Sequence, residues 1–426
     1  MLAAHITETF KTSVPDTAIN RYTTTAGPYR LRRSPNCLQG ALLNRREPEQ
    51  WLTDINLDRI AAFSFGEIVV AGMTRNLSLD FFRGAFAIAV ALGHFYHWNG
   101  IRNIVPSSFI LAVDFFFILS GFVLTKSVLA DKRSDSNWFV NFTEKRFYRI
   151  FPTFLFVAFV HFVILKITKN IPYPSGLDLF RITTLTQLFP FGGGGNYTFE
   201  PMGVGWSISA EFWLGMIFFA LIHALKDRHS GVLLSCLILI SLWLVVLISR
   251  TSPAQMNAHY QLWNNGIPFG FIRCLVGFCL GAAVAIHVRS TEISELSESI
   301  IQIVVIGAGL YLFAKTTWIG RDSFIAPFIF TVLIYSLASQ AGIIYHMTNN
   351  RVGDFLGRIS FAVYLVHPIF VKFVKENMDL TSWSAVLSYL MMVIGASYLV
   401  HIFIEQPAID YVNRKQRASR RSIATA

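Results

Sequence analysis

Long apolar stretches recur along most of this chain, and they constrain its fold more than any other feature. From about residue 73 onward they reach the length of about 20 residues that an α-helix needs to cross a bilayer. The 426 residues are 53% hydrophobic and 14% charged, whereas about 25% of residues are charged in a typical soluble domain. The pattern therefore excludes an ordinary soluble fold and favours one helical membrane domain.

These stretches predict an all-α fold, a polytopic membrane helical bundle of about ten transmembrane helices, in the cell membrane. The predicted spans are 80–99, 104–126, 149–167, 205–225, 231–249, 266–287, 299–315, 322–343, 358–374 and 383–404. The seventh and ninth are short, while the fifth, eighth and tenth are nearly free of charge. An even number of spans puts both termini on one side of the membrane.

Basic residues indicate which side that is. They crowd the segment around the second and third predicted spans, at Lys126, Lys132, Arg133, Lys145, Arg146 and Arg149. Because basic loops face the cytoplasm, both termini are predicted to be cytoplasmic, and 170–205 with its glycine run at 192–195 becomes the main outer-face loop. The formal net charge of +11 then reflects topology and contact with anionic membrane lipid, and it indicates no nucleic-acid partner.

The chain divides into three predicted segments. Residues 1–72 carry no apolar periodicity, and two interpretations stay open: a disordered cytoplasmic extension, or a non-native segment, since Met73 directly precedes the first span. Residues 73–410 form the predicted transmembrane domain. Residues 411–426 form a basic cytoplasmic tail.

The first predicted span contains two ionisable residues, Arg83 and His94, whose spacing predicts their relative position on a helix. They are eleven residues apart, which on a helix is about 16 Å and nearly one face. A histidine near the bilayer midplane can act as a general base, because its ordinary pKa of about 6.5 leaves the neutral form dominant. The alternative is a histidine that only hydrogen-bonds a neighbouring helix, with Arg83 paired to Asp80 at the helix entry.

Asp114 lies among phenylalanines in the second span, where an isolated carboxylate is unfavourable. It either orients His94, as the acid of a triad does, or pairs with an arginine for structure alone. Arg146 and Arg149, at i and i+3, suit a phosphate-bearing ligand, although ordinary anchoring by basic residues explains them as well.

The fourth span opens with a cluster of polar side chains after the predicted outer loop. Trp206, Ser207, Ser209 and Glu211 are its members. One interpretation is a hydrogen-bonding acceptor site for a sugar, with Trp206 as a stacking surface. The other is a simple helix-start cap. The histidines are scattered and indicate no metal site.

Six blocks of the chain together resemble the acyltransferase 3 family of integral membrane acyltransferases. In chain order they are Leu79 to Gly84 with His94, Val113 to Phe122, Arg146 to Arg149, Trp206 to Glu211, Leu356 to Pro368, and Phe403 to Pro407. The resemblance covers about 330 residues. One such block is a weak signal, whereas six in the same order are a specific one.

The resemblance implies a membrane O-acyltransferase. Its expected donor is acyl-CoA, with acetyl-CoA favoured, taken from the cytoplasm, and no cofactor is tightly bound. The expected acceptor is a hydroxyl of a cell-envelope or extracellular glycan. His94 is the expected catalytic histidine, with Arg83 essential and Arg146 and Arg149 donor-binding. Both direct transfer and a relay through an acyl-enzyme remain open.

A proton-coupled exporter or permease is the principal alternative, because His94, Asp114 and Glu211 are also what a proton relay needs. The sequence has no paired-half symmetry that favours it. A catalytically inactive scaffold is a further alternative, and it predicts that His94 can be replaced without effect.

Overall fold

The computed structural model describes residues 75–101, 107–130, 137–169, 171–190, 202–225, 230–252, 256, 259–264, 266–288, 294–315, 321–380 and 382–425. The predicted extension 1–72 lies outside these ranges, as do the glycine run 192–195 and the basic residues Lys132 and Arg133. All statements of structure below concern the described residues.

The described chain is almost entirely helical. Its helices are α1 (Leu77–Trp98), α2 (Ala112–Ala130), α3 (Trp138–Lys169), α4 (Gly176–Thr184), α5 (Gly205–Leu225), α6 (Ser230–Thr251), α7 (Phe269–His287), α8 (Glu295–Lys315), α9 (Ala326–Ala338), α10 (Ile343–Thr348), α11 (Arg351–Asn377), α12 (Trp383–Val400) and α13 (Gln406–Thr425). Short 3₁₀ turns precede α2 and α9, and two short antiparallel strands, β1 (Leu262–Trp263) and β2 (Ile267–Pro268), precede α7.

The prediction of an all-α membrane bundle of about ten spans is confirmed. Within the described ranges, nine helices have the length and composition to cross a membrane, and a further apolar helix over Asp322–Ala338 is shorter. That helix was predicted to run to residue 343, but a turn follows Ala338 and Ile343 begins the separate α10. The cytoplasmic placement of the termini stays a prediction.

The first span begins sharply, which fixes the position of its polar residues. Asn76 caps α1 by accepting a hydrogen bond from the Leu79 backbone N–H at 3.1 Å. Asp80 in the first turn complements the positive end of the helix dipole.

Helices α1, α3 and α11 begin at the same end of the bundle, which is called the basic end. The opposite end is called the far end.

Helix α1 packs against α11 at very short range. A Cβ at Gly357 would overlap Asp80, and one at Gly84 would overlap Leu356. Small residues allow two helix backbones to approach closely inside a membrane, where the hydrophobic effect does not drive helices together. The close approach brings polar side chains of α1 within hydrogen-bond reach of α11.

A second close crossing joins α2 and α7. A Cβ at Gly281 would overlap the Ile118 backbone carbonyl, and one at Gly121 would lie 2.7 Å from the Phe278 carbonyl oxygen. The sequence therefore places glycine where these two backbones touch.

The last predicted span continues without a break beyond its apolar part. A π-helical turn, His401–Glu405, joins α12 to α13, and the His401 Nδ1 lies 2.9 Å from Glu405 Oε2 inside it. The predicted basic tail, 411–426, is the C-terminal part of α13 as far as Thr425. It contacts the start of α3, where Gln416 Nε2 donates to the Asn141 carbonyl at 2.9 Å.

Candidate active site

Arg83 and His94, which the spacing predicts to share a face, both contact α11. Arg83 Nε donates to Ser360 Oγ at 2.9 Å, and an Arg83 N–H also donates to the Gly357 carbonyl. Three turns further along α1, His94 Nδ1 lies 2.9 Å from His367 Nε2. The α1–α11 crossing therefore presents one polar stripe. It consists of Arg83 and His94 on α1 and their partners Gly357, Ser360 and His367 on α11.

The stripe ends at the basic end in a set of ion pairs. Asp80 lies 3.1 Å from Arg83 and 2.6 Å from Arg75, so it binds two guanidinium groups. Asp354 of α11 likewise contacts Arg75 and accepts from Arg358 at 2.9 Å. The Arg83 side chain keeps 25% of its surface exposed despite these contacts. Part of the Arg83 side chain is therefore accessible at this end of the stripe.

His94 packs against two rings, one over its face and one at its edge. The indole of Trp98 stacks on it with centroids 4.4 Å apart, and the His367 ring is nearly parallel to it at 5.1 Å. His94 is half-buried, whereas His367 is completely buried. The arrangement fixes the plane of the imidazole and leaves one ring nitrogen, Nε2, outside the hydrogen bond with His367.

Asp114 contacts an arginine. Arg273 of α7 donates to its two carboxylate oxygens at 3.2 and 2.9 Å, and the side chains of both residues are at most 4% exposed. Of the two roles that the sequence leaves open for Asp114, these contacts correspond to structural pairing. The hydrogen-bond partner of His94 is instead His367.

Arg146 and Arg149 face different surroundings. Arg146 is buried and its guanidinium donates to Glu211 Oε1 at 3.3 Å and to the Glu211 carbonyl at 3.1 Å. Ser120 Oγ donates to the same carboxylate oxygen at 2.9 Å. Arg149 is exposed, and it lies within electrostatic range of Arg83. One residue of the predicted donor pair is thus bound to one residue of the predicted acceptor set.

The other predicted acceptor residues lie in the first turns of α5. Ser207 and Tyr364 share a hydrogen bond of 2.6 Å, which joins α5 to α11 three residues before His367. Trp206 stacks on His259 with centroids 4.7 Å apart. Ser209 is fully buried and accepts from the Leu188 backbone N–H at 3.3 Å.

Sequence reasoning did not assign a role to His367, Tyr364 or Arg273. The stretch from Leu356 to Pro368 was recognised as one block, so the signal for His367 was present: a second histidine in an apolar span, directly before a proline. Arg273 carried the same kind of signal, as a lone charge in a predicted span. Their partners could not be named from spacing, because each contact joins helices far apart in the chain.

The assembled groups suit proton transfer. A half-buried imidazole with a fixed ring plane can accept a proton from a hydroxyl, and cationic groups lie toward the basic end of the same crossing. In the ranges that the structure describes, no three His, Cys, Asp or Glu side chains are grouped so as to hold a metal ion.

Comparisons with known proteins show what this chain is similar to. A family model described as an acyltransferase domain matches residues 76–402. The "Nose resistant to fluoxetine protein 6" of Caenorhabditis elegans is 25% identical over 399 residues, covering 74% of this chain. An uncharacterized protein of Haemophilus influenzae is 26% identical over 253 residues, covering 54% of this chain and all of the relative. This chain spans 48% of the length of the nematode protein. No solved structure matches.

Proposed function

The chain belongs to the acyltransferase 3 family of membrane acyltransferases, and from that premise we propose that it transfers an acyl group, acetyl by preference, from acyl-CoA to a hydroxyl of a cell-envelope or extracellular glycan. The observation that carries the proposal is the placement of His94, which is half-buried, stacked on Trp98 and hydrogen-bonded to His367. A multi-pass protein of the cell membrane with cytoplasmic termini would take the donor from the cytoplasm.

The reaction that this geometry supports is a direct attack. The acceptor oxygen forms a bond to the thioester carbonyl carbon, the carbon–sulfur bond breaks, and the hydroxyl proton passes to His94 Nε2 and then to the leaving thiolate. A relay through an acyl-enzyme needs a nucleophile within hydrogen-bond reach of the base. Among the described residues, the hydrogen bond found for His94 goes to His367 and not to a hydroxyl or thiol, which favours direct transfer over a relay through serine, threonine or cysteine.

The donor is proposed to bind from the basic end. Coenzyme A carries phosphate groups, and guanidinium groups bind phosphate in two-point contacts. Arg83 and Arg149 lie within electrostatic range of each other, and both keep exposed surface there. Arg146 supports the site through Glu211, because its guanidinium is buried against that carboxylate.

The acceptor is proposed to approach from the far end. Ser207, bonded to Tyr364, and Trp206 lie at the start of α5, next to α11 and the His94 side of the bundle. Aromatic rings and hydroxyls at such a position suit a sugar. Glu211 and Ser209 then shape this region from within the bundle, since both are held by protein contacts.

The test uses membranes that contain the native protein, His94→Gln or His346→Gln at matched expression. Radiolabelled acetyl-CoA is supplied, and both the release of thiol and the label in the envelope glycan fraction are measured. His346 is the matched control, since it is an exposed histidine that contacts Glu295 on the surface at 3.3 Å. We expect loss of a general base to reduce transfer by about 10²–10⁴-fold, and the control to keep full activity.

The bond formed is identified by its lability. Label released by mild alkali is an oxygen ester, whereas an amide would survive that treatment. Equal transfer by native protein and His94→Gln would remove His94 from the mechanism. Absence of thiol release by native membranes would contradict the proposed donor and favour the exporter.

A further inference from the structure

His367 is a fully buried histidine that the proton transfer described above does not use directly. It lies in α11 one residue before Pro368, and its Nε2 is 2.9 Å from His94 Nδ1. A hydrogen bond between two imidazoles has a direction, because each neutral ring has one nitrogen that donates and one that accepts. The direction of this bond determines which nitrogen of His94 carries its proton.

Pro368 helps to fix that direction. A proline inside a helix has no N–H, so the carbonyl four residues earlier, that of Tyr364, loses its usual donor. The His367 Nδ1 lies 3.2 Å from the Val363 carbonyl oxygen and also contacts the Tyr364 carbonyl. Carbonyl oxygens only accept hydrogen bonds, so the proton of the neutral His367 ring is on Nδ1.

The remaining hydrogen bonds follow in sequence. With its proton on Nδ1, neutral His367 presents a lone pair at Nε2, and His94 Nδ1 must donate to it. The neutral His94 ring then has no proton on Nε2, and that nitrogen is an acceptor. This is the nitrogen that a general base needs to present to its substrate.

We propose that His367 is a positioning residue that fixes the tautomer of His94, with the proton on Nδ1 and the lone pair on Nε2. The inference rests on the proposed function for its consequence and on the two hydrogen bonds for its geometry. When His94 takes the acceptor proton on Nε2, its Nδ1–H still donates to His367, so the bond between the rings keeps its direction through the reaction.

Neighbouring side chains hold the His94 and His367 rings in position. Trp98 covers a face of His94 at 4.4 Å, while His367 meets its edge through the hydrogen bond. The Tyr389 hydroxyl lies 3.0 Å from the Ala91 carbonyl and 3.5 Å from the His367 carbonyl, and so bridges α1 and α11 at the level of the pair. A carboxylate orients the histidine in a serine-protease triad. A neutral imidazole in the same role adds no net charge inside the membrane, where an extra charge is unfavourable.

The activity test compares His367→Gln with His367→Leu. Glutamine keeps an oxygen that can accept from His94 Nδ1, whereas leucine fills similar volume and accepts nothing. We expect kcat to fall by roughly 10²-fold or more in His367→Leu, by less than about 10-fold in His367→Gln, and the KM for acetyl-CoA to be unchanged in both. Thermal denaturation in detergent checks that the two variants fold alike. Equal losses in both variants, or full activity in His367→Leu, would overturn the proposal.

A second measurement does not depend on activity. Nitrogen-15 NMR of histidine-labelled protein distinguishes the two tautomers, and subtraction of the His94→Gln spectrum assigns the His94 signals. We expect a protonated Nδ1 and an unprotonated Nε2 in the native protein, and a mixture of tautomers in His367→Leu. A protonated Nε2 in neutral native His94 would overturn the tautomer assignment.

The two measurements separate the failures. If native membranes transfer no acyl group, the proposed function fails while the spectra still decide the tautomer. If transfer requires His94 but survives in His367→Leu, the proposed function stands and the role of His367 is wrong.

Discussion

The α1–α11 crossing and the α2–α7 crossing are built in the same way but hold different kinds of polar group. Each has two glycines four residues apart on one helix, Gly353 and Gly357 on α11 and Gly277 and Gly281 on α7. In the first crossing the Arg83 side chain is 25% exposed. In the second, the paired carboxylate and guanidinium are 4% and 3% exposed.

This difference shows how an ionisable residue in a membrane span should be interpreted. Asp114 and Arg273 satisfy each other through two hydrogen bonds and leave no exposed surface for a substrate. The polar stripe of α1 and α11 keeps a partly exposed arginine side chain and a half-buried imidazole. Unfavourable burial alone therefore does not mark a residue as catalytic, whereas partial exposure together with a fixed orientation makes Arg83 and His94 the candidates.

The largest effect that tests this comparison is expected from separating Asp114 and Arg273. Replacing only one of them, by Asp114→Leu or Arg273→Met, leaves a buried unpaired charge. We expect each change to lower the free energy of unfolding by about 3–5 kcal/mol, and the double substitution to restore most of it. Thermal and denaturant unfolding in detergent measure the change.

Acyl transfer per folded molecule distinguishes structure from catalysis in the same variants. The double variant is expected to keep native transfer if the ion pair only joins α2 to α7. A folded double variant that has lost transfer would return Asp114 to the catalytic site that the sequence suggested.

Adding one methyl group at the two crossings is expected to have the next largest effect. Gly281→Ala and Gly357→Ala both introduce an overlap with the partner helix, and overpacking of this kind destabilises by about 1–3 kcal/mol. Only Gly357→Ala should also lower transfer per folded molecule, because its carbonyl accepts from Arg83. The matched control is Gly307→Ala on α8, where a Cβ would have no described atom within 4 Å. Identical behaviour of the first two variants would remove the functional distinction between the crossings.

The smallest effect is expected from Arg83→Lys. An ammonium group keeps the charge but lacks the fork of donors that contacts Ser360, Gly357 and Asp80 together. We expect about 10-fold lower kcat/KM for the acyl donor, about 1.4 kcal/mol, with little loss of stability. Steady-state kinetics with acetyl-CoA measure it, and native kinetics in this variant would contradict a role in donor binding.

Most of the fold could be predicted from the sequence, because bilayer thickness sets the length of an apolar helix. The predicted first span, 80–99, and fourth span, 205–225, agree with α1 and α5 within a few residues. The eighth was predicted too long, because apolar residues continue across the turn between α9 and α10. Apolarity identifies a span but not the point where its backbone turns.

The candidate site could be predicted only along each helix. Helical periodicity placed Arg83 and His94 on one face, and both contact α11. It could not show that His94 meets His367, which is 273 residues away in the chain, or that Arg146 meets Glu211. Those contacts depend on how the helices pack. The spacing of residues along one helix does not predict which residues of another helix they meet.

The unbroken passage from α12 through the π-helical turn into α13 has a practical consequence for imaging. A continuous helix over Trp383–Ser419 contains 37 residues and is about 55 Å long, while the hydrocarbon core is about 30 Å thick. Because Gln416 also joins α13 to α3 by a hydrogen bond, the projecting part of α13 keeps a fixed orientation relative to the bundle. A compact soluble domain fused in helical phase after Thr425 would inherit that orientation and give particle images of this small protein a mass by which they can be aligned.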